Sequence, residues 1–394
     1  MTNTALTRIG HICEVTSGQS APQGSEFFGN LGNPFVRAGS LESLVNCETE
    51  KDCERISDEV AKEKKMRLYP KDTIVFAKSG MSAKIGRVYR LRQPCYVVSH
   101  LAALLPSKEV VPSYLQRWLE YNPPSRLIPN DAYPSIRTGE IAKLEVPLPS
   151  LTEQKRIAAI LDKADALRRK RQQGIGELNN LIHAAFAEYF SDSMSNNSCQ
   201  DDLANLADIV SGVTKGRKFN GKPTVMLPYI RVANVQAGYL DLSEIKDIEA
   251  LPEDLEKYRL EYADILLTEG GDFDKLGRGT MWEGQIKDCI HQNHVFRVRV
   301  NRERVLPEYF DIFLQTQFAK AYFLRCAKKT SNLASINMTQ LRKLPVPVPK
   351  MSLQQHFSTF YHKHNDMTKL FDKNFNEANN LFNSLIQRAF KGDL

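Results

Sequence analysis

The feature that most constrains this chain is an internal duplication with a period of about half its length. Ser135–Phe190 recurs as Ser335–Phe390 at a constant offset of 200, without a gap. Of these 56 aligned positions 14 are identical, among them Ser135/Ser335, Ile136/Ile336, Val146/Val346, Pro147/Pro347, Gln154/Gln354, Asn180/Asn380 and Phe190/Phe390. A looser match at an offset of 194 pairs Ile12, Val15 and Gly18 with Leu206, Ile209 and Gly212, "PFVR" (Pro34–Arg37) with "PYIR" (Pro228–Arg231), and His100 with His294. A repeat this long, present twice, means two copies of a whole structural unit rather than a solenoid of small ones.

Each copy divides at one junction, "LEVPLPSLTEQKR" from Leu144 and "LPVPVPKMSLQQH" from Leu344. Alternating apolar residues with Pro147 and Pro149 read as the end of a strand-rich block. Ser150 and Thr152 are helix-capping residues, and Glu153 follows Ser150 at capping-box spacing. Beyond the junction a 4–3 apolar repeat runs through Ile157, Leu161, Ala164, Arg168, Arg171, Ile175, Leu178, Ile182, Ala185 and Tyr189. The second copy runs through Phe357, Tyr361, His364, Thr368, Phe371, Phe375, Ala378, Phe382, Leu385 and Ala389. That period predicts two long helices that pair as a coiled coil, each spanning about 39 residues and ~58 Å. The blander expectation is that each helix packs on its own domain. Gly174 and Gly176 weaken the first helix by roughly 1 kcal/mol each and mark a place for a kink.

Upstream of each junction lies a block of different character, at 1–150 and 201–350. Short β-branched runs (Thr73–Phe76, Gly86–Leu91, Ile265–Thr268, Val295–Val300) separated by Gly, Pro and Asp predict a mixed α/β fold. Pro112–Tyr121 and Pro307–Ala321 read as helices that open on proline. The chain is 42% hydrophobic and 25% charged, as a globular protein is. Its longest apolar window, Val97–Pro106, is too short to span a bilayer. The first residues show no signal-peptide pattern, and seven cysteines without a CxxC pair point to reduced thiols. A cytoplasmic protein with no membrane partner is expected. The net charge of +7 suits an acidic partner such as nucleic acid.

Several motifs suggest chemistry and fail on inspection. "GRKFNGKP" (Gly216–Pro223) matches GxxxxGK, but Pro223 stands where a phosphate loop needs Ser or Thr. "YNPPS" (Tyr121–Ser125) lacks the aromatic that an amino-methyltransferase stacks on its target base. "CIHQNH" (Cys289–His294) places Cys289 and His291 on one face of a strand and His294 on the other, and reads as core rather than as a zinc site. "HKH" (His362–His364) and the Cys47/Cys53 pair are weaker. "RRKR" (Arg168–Arg171) puts two arginines on the helical seam, so that charge should meet a partner or hold the coil open.

Two variable blocks, each followed by a long helix opened by an "LPxPLPxLxEQKxI"-like segment, resemble the specificity subunit of type I restriction–modification enzymes. The resemblance covers the whole chain. It rests on Leu144–Ile157, the degenerate copy Leu344–Phe357, the end "LIQRAFKGDL" (Leu385–Leu394), and two Gly-rich hairpins, Asp72–Arg87 and Asp264–Arg278. It rests also on the two exits Tyr133–Pro149 and Leu333–Pro349. The second junction departs from the pattern, with Leu353 for the acidic residue and Gln355–His356 for Lys-Arg.

The resemblance implies two α/β target-recognition domains (1–150 and 201–350) joined by a central helix (151–200) and a C-terminal helix (351–394). These helices would form an antiparallel coiled-coil spacer with pseudo-twofold symmetry. It implies a non-catalytic subunit that reads a bipartite, asymmetric target in double-stranded DNA. Two methyltransferase subunits would dock on it, and endonuclease/translocase subunits would join through them. The assembly would act as an adenine-N6 methyltransferase and type I deoxyribonuclease. No cofactor is expected on this chain; S-adenosylmethionine, ATP and Mg²⁺ belong to the partners. The spacer seam would be carried by Ile157, Leu161, Ile175, Leu178, Ile182, Phe357, Tyr361, Phe371, Phe375 and Phe382.

Phosphate contacts call for Lys and Arg, base edges for those and for Asn, Gln, Ser and Thr. In the first domain the candidates are Gln19, Ser20, Lys78, Ser79, Ser82, Lys84 and Arg87. In the second they are Lys215, Arg217, Lys218, Lys275 and Arg278. Arg37 and Arg231 sit in matched apolar strands, where a structural role is as natural. Two other classes remain open: a stand-alone duplicated DNA-binding or regulatory protein, and a monomeric enzyme with an unrecognised site.

Overall fold

The computed structural model describes all residues except 1–4, 48, 196–199, 272–275 and 330–333. The chain forms two compact units, residues 1–174 with 371–394, and residues 175–370. The units do not end at 150 and 350: each takes one part of both long helices.

In the first unit a four-stranded antiparallel sheet runs in the order Cys13–Ser17, Leu101–Pro106, Ile74–Ala77, Val88–Arg90. A three-stranded sheet places Asn33–Val36 between Arg55–Ile56 and, in parallel, Tyr96–Val97. The run "IVFA" at Ile74–Ala77 is apolar at every position because both faces of its sheet are covered. Ile74 and Phe76 join Tyr114, Leu115, Trp118 and the long helices; Val75 and Ala77 join Phe35, Tyr89 and Tyr96 of the second core. The period of two along the strand sorts them.

The second unit repeats this plan. Ala207–Ser211, Val295–Val300, Ile265–Thr268 and Gly279–Met281 form the four-stranded sheet. Lys246–Ala250, Val225–Ile230 and the parallel Ile290–His291 form the three-stranded one. The expected helix Pro307–Ala321 is two helices, Pro307–Leu314 and Gln317–Cys326. Thr316 divides them: its hydroxyl donates to the Phe313 carbonyl (2.7 Å) and accepts from the Ala319 N–H (3.4 Å), closing one helix and capping the next.

The junction has the same construction twice. Leu6–Arg8 pairs with Glu145–Pro147, and Gln200–Asp202 with Pro345–Pro347. A two-stranded ribbon is all edge, which is where a ladder tolerates proline. Ser150 accepts from the Glu153 N–H (3.3 Å), but the Glu153 carboxylate turns to Arg156 (2.7 Å), so only half of the capping box forms. Gln154 and Gln354, both buried, then bracket the fold. Gln154 accepts from the Val111 N–H (2.8 Å) and donates to the carbonyls of Pro149 and Glu109 (2.9 and 3.2 Å). Gln354 does the same to Leu306, Pro349 and Arg304 (2.8, 2.9 and 3.1 Å). Tyr114 and Tyr309 donate to the Pro147 and Pro347 carbonyls (2.6 and 2.9 Å).

The long helices run unbroken over Leu151–Ser195 and Met351–Lys391. Within each unit they pair antiparallel. In the first, Arg156 reaches Leu394 and Gly174 meets Phe371; in the second, His364 Nε2 lies 2.8 Å from the Leu178 carbonyl and Phe186 and Phe190 meet Phe357 edge to face. Both sequence expectations hold at once. Ile157, Leu161 and Phe382 share one core with the first domain; Ile182, Phe357 and Tyr361 share another with the second. Leu178 is buried too, whereas Ile175, Phe371 and Phe375 are half-buried. The seam arginines need no outside partner. Arg168 pairs with Asp165 (2.6 Å) and Arg171 donates to the Asn374 carbonyl, so the charge is absorbed inside the unit.

Candidate nucleic-acid interface

The segment after Ile74–Ala77 was expected to be a plain Gly-rich hairpin. Its flanking strands are antiparallel, but its tip is a one-turn helix, Met81–Ile85, set between Gly80 and Gly86. Both glycines have positive φ (78° and 72°), a conformation that side chains disfavour, and they let so short a connector enter and leave a helical turn. Neighbouring chain holds it in place. The Lys78 N–H donates to the His100 carbonyl (2.9 Å), the Gly80 N–H to Pro134 (3.0 Å), and the Ile136 N–H to Lys78 (2.7 Å).

The connector gathers most of the first domain's candidates. Ser79 Oγ lies 2.9 Å from His100 Nδ1. Lys84 pairs with Asp131 (3.4 Å) and Arg87 with Glu42 (3.1 Å), both acids being exposed. Such pairs contribute little to stability and can exchange a carboxylate for a phosphate. Lys78, Ser79 and Ser82 are half-buried. Gln19 lies elsewhere and is occupied: its amide donates to the Lys65 carbonyl (3.1 Å) and accepts from the Arg67 N–H, which ties a loop. Ser20 beside it is exposed. Arg37 is also occupied, by Glu54 (2.6 Å) and the Phe28 ring.

The second domain's candidates do not form one group. Lys215 and Lys218 are exposed on the loop that leads to Val225–Ile230. Arg217 pairs with Asp254 (3.2 Å through Nη1) and packs over Phe219. Arg278 donates to Gln236 (3.0 Å) and to the Val232 carbonyl (3.2 Å), so it braces the domain wall. Lys275 lies outside the described residues.

Matching backbone bonds align the two copies. The Glu269 N–H donates to His294 (3.0 Å) and the Ile336 N–H to Glu269 (2.8 Å), as Lys78 does with His100 and Ile136. Where the first domain has Lys78, the second has Glu269, and that carboxylate holds His294 Nδ1 at 2.5 Å. A groove of about 510 Å³ opens there, lined by Val232, Glu269, Gly270, His294, Lys328 and Ser335. Sequence reasoning did not select the two histidines, although their alignment at the 194 offset marks them. His291 is a core residue: burial pushes it down to about 4, its Nδ1 is 2.7 Å from the Val295 carbonyl, and Nε2 has no partner among the described residues. Among the described residues no group of His, Cys, Asp and Glu could hold a metal ion, and no helix is long and apolar enough to cross a membrane.

Comparison with known proteins agrees with this architecture. The family model described as "Type I restriction modification DNA specificity domain" matches twice, over residues 2–177 and 195–380. The chain is 24% identical over 391 residues to the specificity subunit of the type I restriction enzyme EcoKI of Escherichia coli K12, covering 92% of this chain and 82% of that protein. It is 22% identical over 388 residues to the StySPI specificity subunit of Salmonella potsdam, with the same coverage. The S subunit of the M. genitalium type I system has the same fold, with a TM-score of 0.55 at 14% identity over 99% of this chain and 97% of that one. A chain solved in a study of type I complex assembly gives 0.53 at 13% identity, over 100% and 99%. Two copies of the family domain, on a scaffold built twice, place this chain in the type I restriction–modification DNA specificity family, as a specificity subunit.

Proposed function

We propose that the chain is the non-catalytic reader of a bipartite, asymmetric DNA sequence, with one half-site for each domain. The observation that carries this is the pairing of a repeated scaffold with unlike edges: Lys78, Ser79 and His100 in one domain stand where Glu269, Gly270 and His294 stand in the other. Identical edges would favour a palindrome; these favour two different half-sites. Lys84, Arg87, Lys215 and Lys218 supply phosphate contacts that fix register. Two methyltransferase subunits, bringing S-adenosylmethionine, dock on the chain, and endonuclease/translocase subunits with ATP and Mg²⁺ join through them in the cytoplasm. The chain itself binds none of these cofactors.

The test is a domain exchange. Residues 201–350 are replaced by those of another specificity subunit, and methylated adenines are mapped in cells carrying the methyltransferase subunits. One half of the modified sequence should change and the other persist. A change in both halves, or sequence-specific methylation by the chain alone, would overturn the proposal.

A further inference from the structure

The connector helix Met81–Ile85 turns its large apolar residues the wrong way for folding. Ala83 is buried, while Met81 and Ile85, one turn apart on the opposite face, are 70% and 57% exposed. Tyr133 is 81% exposed, and the bond from Gly80 N–H to the Pro134 carbonyl sets its segment beside the start of that helix. Single exposed apolar residues are ordinary, but three on adjoining segments form a patch.

The rim of the patch identifies its occupant. On the connector itself Lys78, Lys84 and Arg87 flank Met81 and Ile85, and the acids beside them, Asp131 and Glu42, are exposed partners of Lys84 and Arg87. An apolar centre inside a mainly cationic rim suits a surface that is anionic at its edge and apolar at its middle. The major groove at an A·T pair is such a surface, with phosphates on either side and the thymine C5-methyl projecting between them. A protein-docking patch would instead be poor in lysine, of which this connector carries two, Lys78 and Lys84.

We propose that Met81 and Ile85 read thymine by contact with its C5-methyl group, so that the first domain's half-site contains at least one thymine recognised without a hydrogen bond. The inference rests on the DNA-reading function proposed above. It adds a specificity determinant of a residue type that a search for polar base contacts passes over.

The experiment uses the chain assembled with its methyltransferase subunits and duplexes carrying the mapped target. Each thymine is replaced in turn by deoxyuridine, which removes only the methyl group. Binding should weaken about three- to fivefold at one or more thymines of a single half-site, the scale of one buried methyl. M81A/I85A should bind thymine and deoxyuridine duplexes equally, with an unchanged melting temperature because both side chains are exposed. M81L/I85L, which keeps the apolar area, should keep the discrimination.

Insensitivity of the wild-type complex to every deoxyuridine would overturn the inference. So would discrimination that survives in M81A/I85A. Failure of M81A/I85A to assemble with the methyltransferase subunits would make the patch a protein-docking face. A complex with no sequence preference at all would instead refute the proposed function.

Discussion

The helices Pro112–Tyr121 and Pro307–Leu314 occupy equivalent places in the two units, yet their joints to the long helices carry opposite charge. In the first joint the domain supplies a cation. Arg117, 4% exposed, binds Asp162 and Asp165 of the long helix at 2.8 and 2.9 Å, together with Glu120 of its own helix. Burial alone would raise the Asp165 carboxyl, but the guanidinium groups of Arg117, Arg169 and Arg168 outweigh it and hold it at about 2. In the second joint the domain supplies acids. Tyr361 donates to the buried Asp311 (2.9 Å), and His362 Nε2 lies 3.0 Å from Glu308. Burial, with Glu283 and Glu308 nearby, pushes the Asp311 carboxyl up to about 7 although the Tyr361 hydroxyl opposes it. What both joints share is neutral: the glutamine bracket and the tyrosine-to-carbonyl bond. Duplication preserved the backbone clamp and let the charges diverge. The second domain moved onto the first domain's stretch of helix would set Asp311 and Glu308 where Arg117 meets Asp165, so the divergence disfavours that exchange.

The largest expected effect comes from removing the cation. R117L leaves the buried Asp165 with fewer counter-charges and should destabilise the chain by about 3–5 kcal/mol in denaturant unfolding. A loss below about 1 kcal/mol would mean that Arg168 and Arg169 suffice, and that Arg117 does not define the joint.

The two joints should answer pH with opposite signs. Asp165 titrates below its ordinary 3.8, so its contribution is present above about 4 and is lost as pH falls toward about 2. Asp311 titrates above 3.8, so between about 4 and about 7 the unfolded state gives up a proton that the folded state keeps, and stability declines as pH rises. That decline is on the order of 2–4 kcal/mol. In melting curves from pH 3 to 8, D311N should flatten the neutral limb and D165N the acid limb. Parallel curves for wild type and D311N would refute the assignment.

The clamp should behave alike in both copies. Q154A strands the Val111 N–H and Q354A the Leu306 N–H, each costing about 1–3 kcal/mol. Equal losses measured by urea unfolding would support a geometric role; a clearly smaller loss at one joint would mean that its charges compensate.

How much of this was legible follows the same division. Period and identity revealed the duplication, the junctions, both long helices and the matched Gln154 and Gln354, because geometry that must be repeated leaves repeated residues. The joints left no such trace: Arg117 and Asp165, or Asp311 and Tyr361, lie about 50 positions apart and have no like-charged counterpart in the other copy. The turn of helix at Met81–Ile85 was hidden because tertiary bonds from Lys78, Gly80 and Ile136, not local propensity, hold it. Among the DNA candidates, exposure could not be told from occupation. Gln19 and Arg278 are of the right types, but each is already bound within its domain.

The smallest test asks whether geometry governs the helix pair as well. Two glycines in a helix lower its stability for no apparent gain, and at Gly176 there is none to see: a Cβ there would meet nothing within 4 Å. At Gly174 a Cβ would come within 2.6 Å of the Phe371 ring, so the missing side chain admits that ring against the facing helix. G176A should therefore raise stability by about 0.5–1 kcal/mol through helix propensity alone. G174A gains the same propensity but must displace the half-buried ring, and its net effect should be nil or negative in the same thermal-unfolding assay. Equal stabilisation by both would show that Phe371 relocates freely and that the helices do not depend on this close approach.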